Sequence, residues 1–187
     1  MKRNIAVPMI MCDGFTLRPF VADDVQSLQK AVDDPTVARA VTNIPYPYTL
    51  RDAQRWISQM EVFVTPNSQR IDLVIDVEGN VAGSVSLINL DQTQPHKAQV
   101  SYWLASAYRR RGITTSALKE LITFGFEKLQ LVRIFAYVYA QNIASQGVLT
   151  KVGFTFEGVH TKEWYKVIDG VEYFFDSHYY SIVRGDA

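Results

Sequence analysis

Residues 108–126 read YRRRGITTSALKELITFGF, and the reading of this stretch decides the fold. Arg109, Arg110 and Arg111 run into Gly112, three hydroxyl residues follow, and an apolar repeat then takes over. Leu118, Leu121, Ile122, Gly125, Phe126 and Leu129 recur at helical spacing and share one face. A helix mouth leaves its first backbone N–H groups without partners and carries about half a positive charge, so a strand entering a helix through glycine makes an anion cradle. Two readings of the arginines stay open on these grounds: a phosphate or pyrophosphate site, or a solvated loop. The stretch is neither a P-loop nor a dinucleotide fingerprint, because Gly112 has no glycine partners at the required spacing and no Gly-Lys-Thr sequence follows.

Working outward, AQVSYWLA (98–105) alternates as a strand that reaches Leu104, and RIFAYVYA (133–140) is an apolar run whose place after a helix predicts a buried parallel strand. NIASQGVLTKVGF (142–154) predicts a short helix closed by Gly153. Upstream, FTLRPF (15–20) alternates, and Val21, Val25, Leu28 and Val32 follow at helical spacing. Thr49, with Asp52 three residues on, predicts a helix start before Trp56, Ile57, Met60 and Phe63. Tyr46, Tyr48 and Trp56 either line a pocket or pack in the core. RIDLVIDVEGNVAGSVSLINL (70–90) splits into a hairpin at Glu78, Gly79 and Asn80, and two last runs, 156–164 and 171–180, flank Asp169 and Gly170 as a second hairpin. Trp164 and Tyr165 in that hairpin either frame an acceptor groove or alternate between its two faces. The order predicts a single α/β domain over residues 1–187, a mixed sheet with helices on both faces.

The 187 residues carry 19 basic and 19 acidic side chains, so no net field holds the chain on nucleic acid or an anionic membrane, and any anion site is local. One cysteine, Cys12, and three scattered histidines give no metal-ligand spacing, and the lone thiol fits a reducing compartment. The start, MKRNIAVPMIMC, has Lys2 and Arg3 before an apolar run that Pro8 interrupts, too short for a secretion signal. Residues 1–12 are expected as a loose N-terminal extension, and the chain as soluble and cytoplasmic. The apolar C-terminal strands permit a homodimer as well as a monomer.

RRRGIT (109–114) resembles the pyrophosphate motif of the GNAT N-acetyltransferase superfamily. Asn142, Ser145, Leu149, Lys151, Gly153 and Phe154 match that family's second block in the right order. The element order from 15 to 183 fits as well, and the specific motifs lie in 89–158. Within the family the chain is most similar to the branch that acetylates ribosomal-protein N-termini. The resemblance implies a mostly antiparallel sheet of the acyl-CoA N-acyltransferase type and acetyl-CoA as cosubstrate, with no metal. The cofactor contacts it implies are Trp103, Leu104, Arg109, Arg110, Arg111, Gly112, Ile113, Thr114, Thr115, Asn142 and Ser145. It further implies direct attack by an amine, with Ser145 donating a hydrogen bond to the leaving sulfur. Ser145 read without the resemblance is a helix N-cap.

Two positions depart from the family pattern. Thr114 stands where Gly or Ala is usual and crowds a diphosphate unless its hydroxyl donates to it. Gln99 stands where the branch often has Glu, and an amide cannot take a proton at neutral pH. The expected role for Gln99 is orientation of a water. Replacement bases are His96 first, then Asp91, His160 and Asp176. The leading expectation is acetylation of a protein or peptide α-amine, such as a ribosomal-protein N-terminus. The alternatives are a small-molecule amine acetyltransferase and a CoA-binding regulator without turnover.

Overall fold

The computed structural model describes residues 5–41, 44–60, 63–65, 67–90, 93–168 and 171–185. Short strands β1 (Ile5–Ala6) and β2 (Ile10–Cys12) precede β3 (Phe15–Arg18), and a 3-10 turn over Ala22–Asp24 runs into α1 (Val25–Val32). Then come α2 (Pro35–Ala40), α3 (Leu50–Ile57), β4 (Phe63–Val64), the hairpin of β5 (Arg70–Val77) and β6 (Asn80–Ile88), and β7 (Lys97–Leu104). The opening stretch forms α4 (Ile113–Glu127), followed by β8 (Arg133–Tyr139), α5 (Ile143–Val152), β9 (Thr155–Ile168) and β10 (Val171–Val183).

Eight strands form one sheet in the order β2-β3-β5-β6-β7-β8-β10-β9, and β1 pairs separately with β4. Every neighbour in the large sheet is antiparallel except β7 and β8. That exception follows from connectivity: a strand, a crossover helix and a further strand return the chain in the same direction. Strand alternation then assigns the two faces. Leu73, Ile75, Val85, Leu87, Ala98, Val100, Ile134, Ala136 and Val138 bury against Leu118, Leu121 and Ile122 of α4 and Leu149 of α5. On the opposite face Val74 and Val81 pack with Phe20, Leu28 and Val32 near α1 and Ala53 of α3. Arg18 ties that second layer to the sheet edge, its guanidinium donating to Asp24 at 2.7 and 2.8 Å and to Asp76 at 2.6 Å.

Helix α3 starts where the Thr49 and Asp52 pattern places it. The Thr49 hydroxyl accepts from the Asp52 N–H at 3.2 Å, and the Asp52 carboxylate accepts from the Thr49 N–H at 3.0 Å. Thr49→Ala removes half of this reciprocal cap and is expected to lower stability by about 1 kcal/mol, read as the shift of a urea midpoint at constant slope. Tyr48 and Trp56 belong to the core of this layer, with Arg70 stacked 4.4 Å over the Trp56 ring, whereas Tyr46 is exposed.

One sequence expectation needs correction. Residues 1–12 are not a loose extension over their described part: β1 and β2 are paired strands and Val7 lies in the core. Ile5, Val7 and Ile10 drive this by packing on the core. Helix α2 went unread; Asp34 caps it by accepting from the Thr36 N–H at 2.7 Å, and Pro35 fits its first turn. Asp169 and Gly170 lie outside the described residues, although β9 and β10 flank them as a hairpin. None of the helices among the described residues is long and apolar enough to cross a membrane.

Candidate active site

The site lies at the one parallel seam. Strands β7 and β8 pair only from Lys97, Ala98 and Gln99 to Arg133, Ile134 and Phe135. Beyond these pairs β7 stays with β6 as far as Leu104, while β8 stays with β10 as far as Tyr139. The sheet therefore opens, and the β7 edge past Gln99 has no β8 partner. Residues of both strands, together with Ala40, Val41, Asn142, Ser145 and Trp164, line a cleft that is open to solvent.

The cleft crosses the sheet, so its two faces carry different chemistry. On the α4 and α5 face Asn142 caps α5, its Oδ1 accepting from the Ser145 N–H at 3.1 Å. Asn142 is thus the cap, and Ser145 keeps its hydroxyl for other work. The Ser145 Oγ lies 2.5 Å from the Tyr102 hydroxyl, which is also 3.2 Å from the Ser145 carbonyl. Burial pushes the Tyr102 phenol up to about 12, so it stays protonated throughout the neutral range. Sequence reading missed Tyr102. Its signal was its place two residues beyond Val100, which puts both side chains on the face that meets α5.

On the other face stand Gln99, Ser101, Tyr137, Tyr139 and Trp164. The Gln99 Oε1 accepts from Asn89 Nδ2 at 2.9 Å, so its amide NH₂ is what remains for a water or substrate. A bulge in the last hairpin, where residues 161–163 of β9 oppose Asp176 of β10, precedes Trp164, whose ring lies 6.2 Å from Tyr139 and 6.4 Å from Tyr137. Tyr165 points the other way, is exposed, and donates to Glu172.

The expected bases among the described residues, His96, His160 and Asp176, do not line the cleft. His96 is exposed, and its carbonyl accepts the Val132 and Arg133 N–H groups that start β8. A strand advances about 3.3 Å per residue, so His96 lies well away from the opening beyond Gln99. His160 stacks on Tyr179 with ring centres 5.3 Å apart, and the Asp176 carboxylate accepts from the Lys162 N–H. Asp91 lies outside the described residues. Among the described residues that line the cleft there is no carboxylate and no imidazole.

The mouth of α4 adjoins the free end of β7. Gly112 is left-handed with φ 77°, which glycine adopts without strain, and no side chain caps the helix. The first-turn N–H groups of Ile113, Thr114 and Thr115 therefore face outward from the helix end, with Thr114 and Thr115 half-buried. Arg109 donates to the Leu104 carbonyl at 3.1 Å and to Thr36 Oγ1 at 3.0 Å, and Arg111 donates to the Ala107 carbonyl at 3.2 Å. Two of the three arginines thus also shape the loop, while Arg110 turns the chain at φ 63°. Trp103 and Leu104 stand at the end of β7 leading into this loop.

Residues 15–155 match the model of the acetyltransferase (GNAT) domain. The chain belongs to the GNAT family. Among its relatives is the putative ribosomal N-acetyltransferase YdaF of Bacillus subtilis, 36% identical over 107 residues, a match that covers 57% of this chain and 56% of that protein. The solved structure of RimL, a ribosomal L7/L12 alpha-N-protein acetyltransferase in complex with coenzyme A, superimposes with TM-score 0.82 at 18% identity over 96% of this chain and all (100%) of that one. The microcin C7 self-immunity acetyltransferase MccE, in complex with acetyl-CoA and AMP, gives 0.80 at 24% identity over 92% and 93%. At those identities the two structures establish the GNAT fold.

Proposed function

We propose that this GNAT protein is an acetyl-CoA-dependent N-acetyltransferase, acting as one domain, whose acceptor is the α-amine of a protein or peptide, ribosomal-protein N-termini being the class its relatives suggest. The observation that carries the choice of acceptor is the composition of the cleft. A lysine or polyamine nitrogen, pKa about 10.4, is neutral in roughly one molecule per thousand near pH 7.4, a handicap of about 4 kcal/mol that a base must offset. An α-amine near 7.8 is already about a quarter neutral. With no carboxylate or imidazole among the described residues that line the cleft, the acceptor that needs no base is favoured. The same lining offers no acidic groove to collect a polycation, which argues against polyamines.

Acetyl-CoA supplies an activated acyl group as its thioester. For holding it, the unpaired β7 edge near Trp103 and Leu104 suits an extended arm with amide groups, and the α4 mouth with Gly112 and the arginines suits the diphosphate. Thr114 and Thr115 add hydroxyls there. The Ser145 and Tyr102 pair lies on the face where a departing thiolate needs donors, and Asn142 holds Ser145 in place. Gln99 suits the water that carries off the amine's proton. Such acceptors place the enzyme in the cytoplasm.

Release of thiol from acetyl-CoA, followed against pH, tests this. Peptides with free N-termini are expected to turn over with kcat/KM rising as pH climbs through the amine's own pKa, about 7.8, because only the neutral form attacks. N-blocked peptides with lysine, and polyamines, are expected to lag by about a hundredfold or more. Turnover confined to polyamines, or a midpoint near an imidazole value of about 6.5, would sink the reading.

A further inference from the structure

The acceptor-side wall of the cleft holds a primary amine already. Tyr139 lines the cleft and is 8% exposed, and its hydroxyl has no hydrogen-bond partner among the described residues. A buried hydroxyl left unpaired costs folding free energy, so its retention on the wall of a reaction cleft calls for a partner that arrives later. Lys166 lies on the same side of β9 as Trp164, two residues on. Its Nζ sits 5.4 Å from the centre of the Tyr139 ring and donates to the Val41 carbonyl at 3.5 Å. Val41 and Trp164 are themselves cleft-lining residues.

A carbonyl oxygen, aromatic faces and a phenol oxygen free to accept together suit a nitrogen that brings N–H donors or positive charge. The present occupant is weakly held. A 3.5 Å contact is at the outer limit of a hydrogen bond, and a lysine gives up much rotamer freedom to keep it. We propose that Val41 and Tyr139 form the acceptor-amine subsite, and that Lys166 is a built-in placeholder which the substrate amine displaces. The incoming amine donates to the Val41 carbonyl and to the Tyr139 hydroxyl, and the Lys166 side chain swings out to solvent. The assignment of this nitrogen as a substrate's rests on the acetyl-transfer reading; the site itself rests on the geometry.

Isothermal titration separates the two. The probes are an amidated tripeptide with a free N-terminus and its N-acetylated twin, each titrated into CoA-loaded wild type, Lys166→Met and Tyr139→Phe. Lys166→Met removes the competitor and is expected to tighten the free-amine peptide about fivefold. Tyr139→Phe keeps the ring and loses only the hydroxyl, and is expected to weaken it about fivefold. Neither change is expected to alter CoA affinity or the binding of the twin, and Tyr139→Phe is expected to keep or raise the thermal midpoint, since the lost group was unpaired. Free-amine binding unmoved by both substitutions, or weakened by Lys166→Met, overturns the subsite even if acetyl transfer is intact. Binding that responds as expected in a protein that releases no thiol leaves the subsite standing and removes the acetyl-transfer reading. No free-amine binding by any of the three proteins overturns both.

Discussion

Ser145→Ala is expected to slow turnover at saturating substrates about a hundredfold, with KM for acetyl-CoA changed by less than about threefold. A serine hydroxyl is too weak an acid to protonate a thiolate outright, so its contribution is a hydrogen bond that strengthens as charge builds on sulfur. Tyr102 makes that donor available. With its phenol held near 12 by burial it keeps its proton. The two hydroxyls lie 2.5 Å apart, and a phenol donating across that gap would leave the serine's own hydrogen for the sulfur. Tyr102→Phe, which frees the serine rotor without deleting it, is expected to cost about tenfold. The double variant is expected to be no slower than Ser145→Ala, because the two hydroxyls act as one unit. The fold is insulated from these changes, since Asn142 caps α5 through the Ser145 backbone and not its side chain. A Ser145→Ala enzyme within threefold of wild-type kcat would remove the leaving-group role from this residue.

Gly83→Ala is expected to cost about 3 kcal/mol, near the upper end for overpacking, which in a chain of 187 residues lowers the thermal midpoint by roughly 10 °C. Gly83 pairs with Leu104 at the end of the β6 and β7 ladder. A Cβ there would lie 2.4 Å from the Trp103 carbonyl oxygen and 3.1 Å from Leu104 Cα. Both are backbone atoms, so no side chain can swing aside and β7 itself must move. That end of β7 accepts the Arg109 guanidinium at the Leu104 carbonyl and leads into the α4 mouth. The same substitution is therefore expected to weaken CoA binding as well as folding. A melt unchanged within about 2 °C would show that the strand yields more easily than its backbone contacts imply.

Much of this fold was legible because its signals were local. The Gly112 helix mouth, the Thr49 cap, the Glu78 to Asn80 turn and the apolar run of β8 each carry their geometry in a few adjacent residues. The site was legible only in part. Ser145, Asn142 and Gln99 line the cleft, yet His96 does not, because loop position along the chain says nothing about which way a sheet opens. Tyr102 meets Ser145, and Lys166 meets Tyr139 and Val41, across separations that no spacing rule reaches. The strand character of residues 5–12 was hidden for a related reason: its partners are β4 and β3, and a short run shows its period only once those partners are known.

The parallel seam joins two halves of the sheet through three residue pairs, whereas β5 with β6 and β9 with β10 are each held by eight or more. The large sheet thus has two parts, strands β2, β3, β5, β6 and β7 on one side of the seam and β8, β10 and β9 on the other, with α4 packed across them. The reacting atoms then sit at the one line where small rotations of the two parts change the gap most, and a narrow seam lets the gap adjust to an acceptor without unfolding either part.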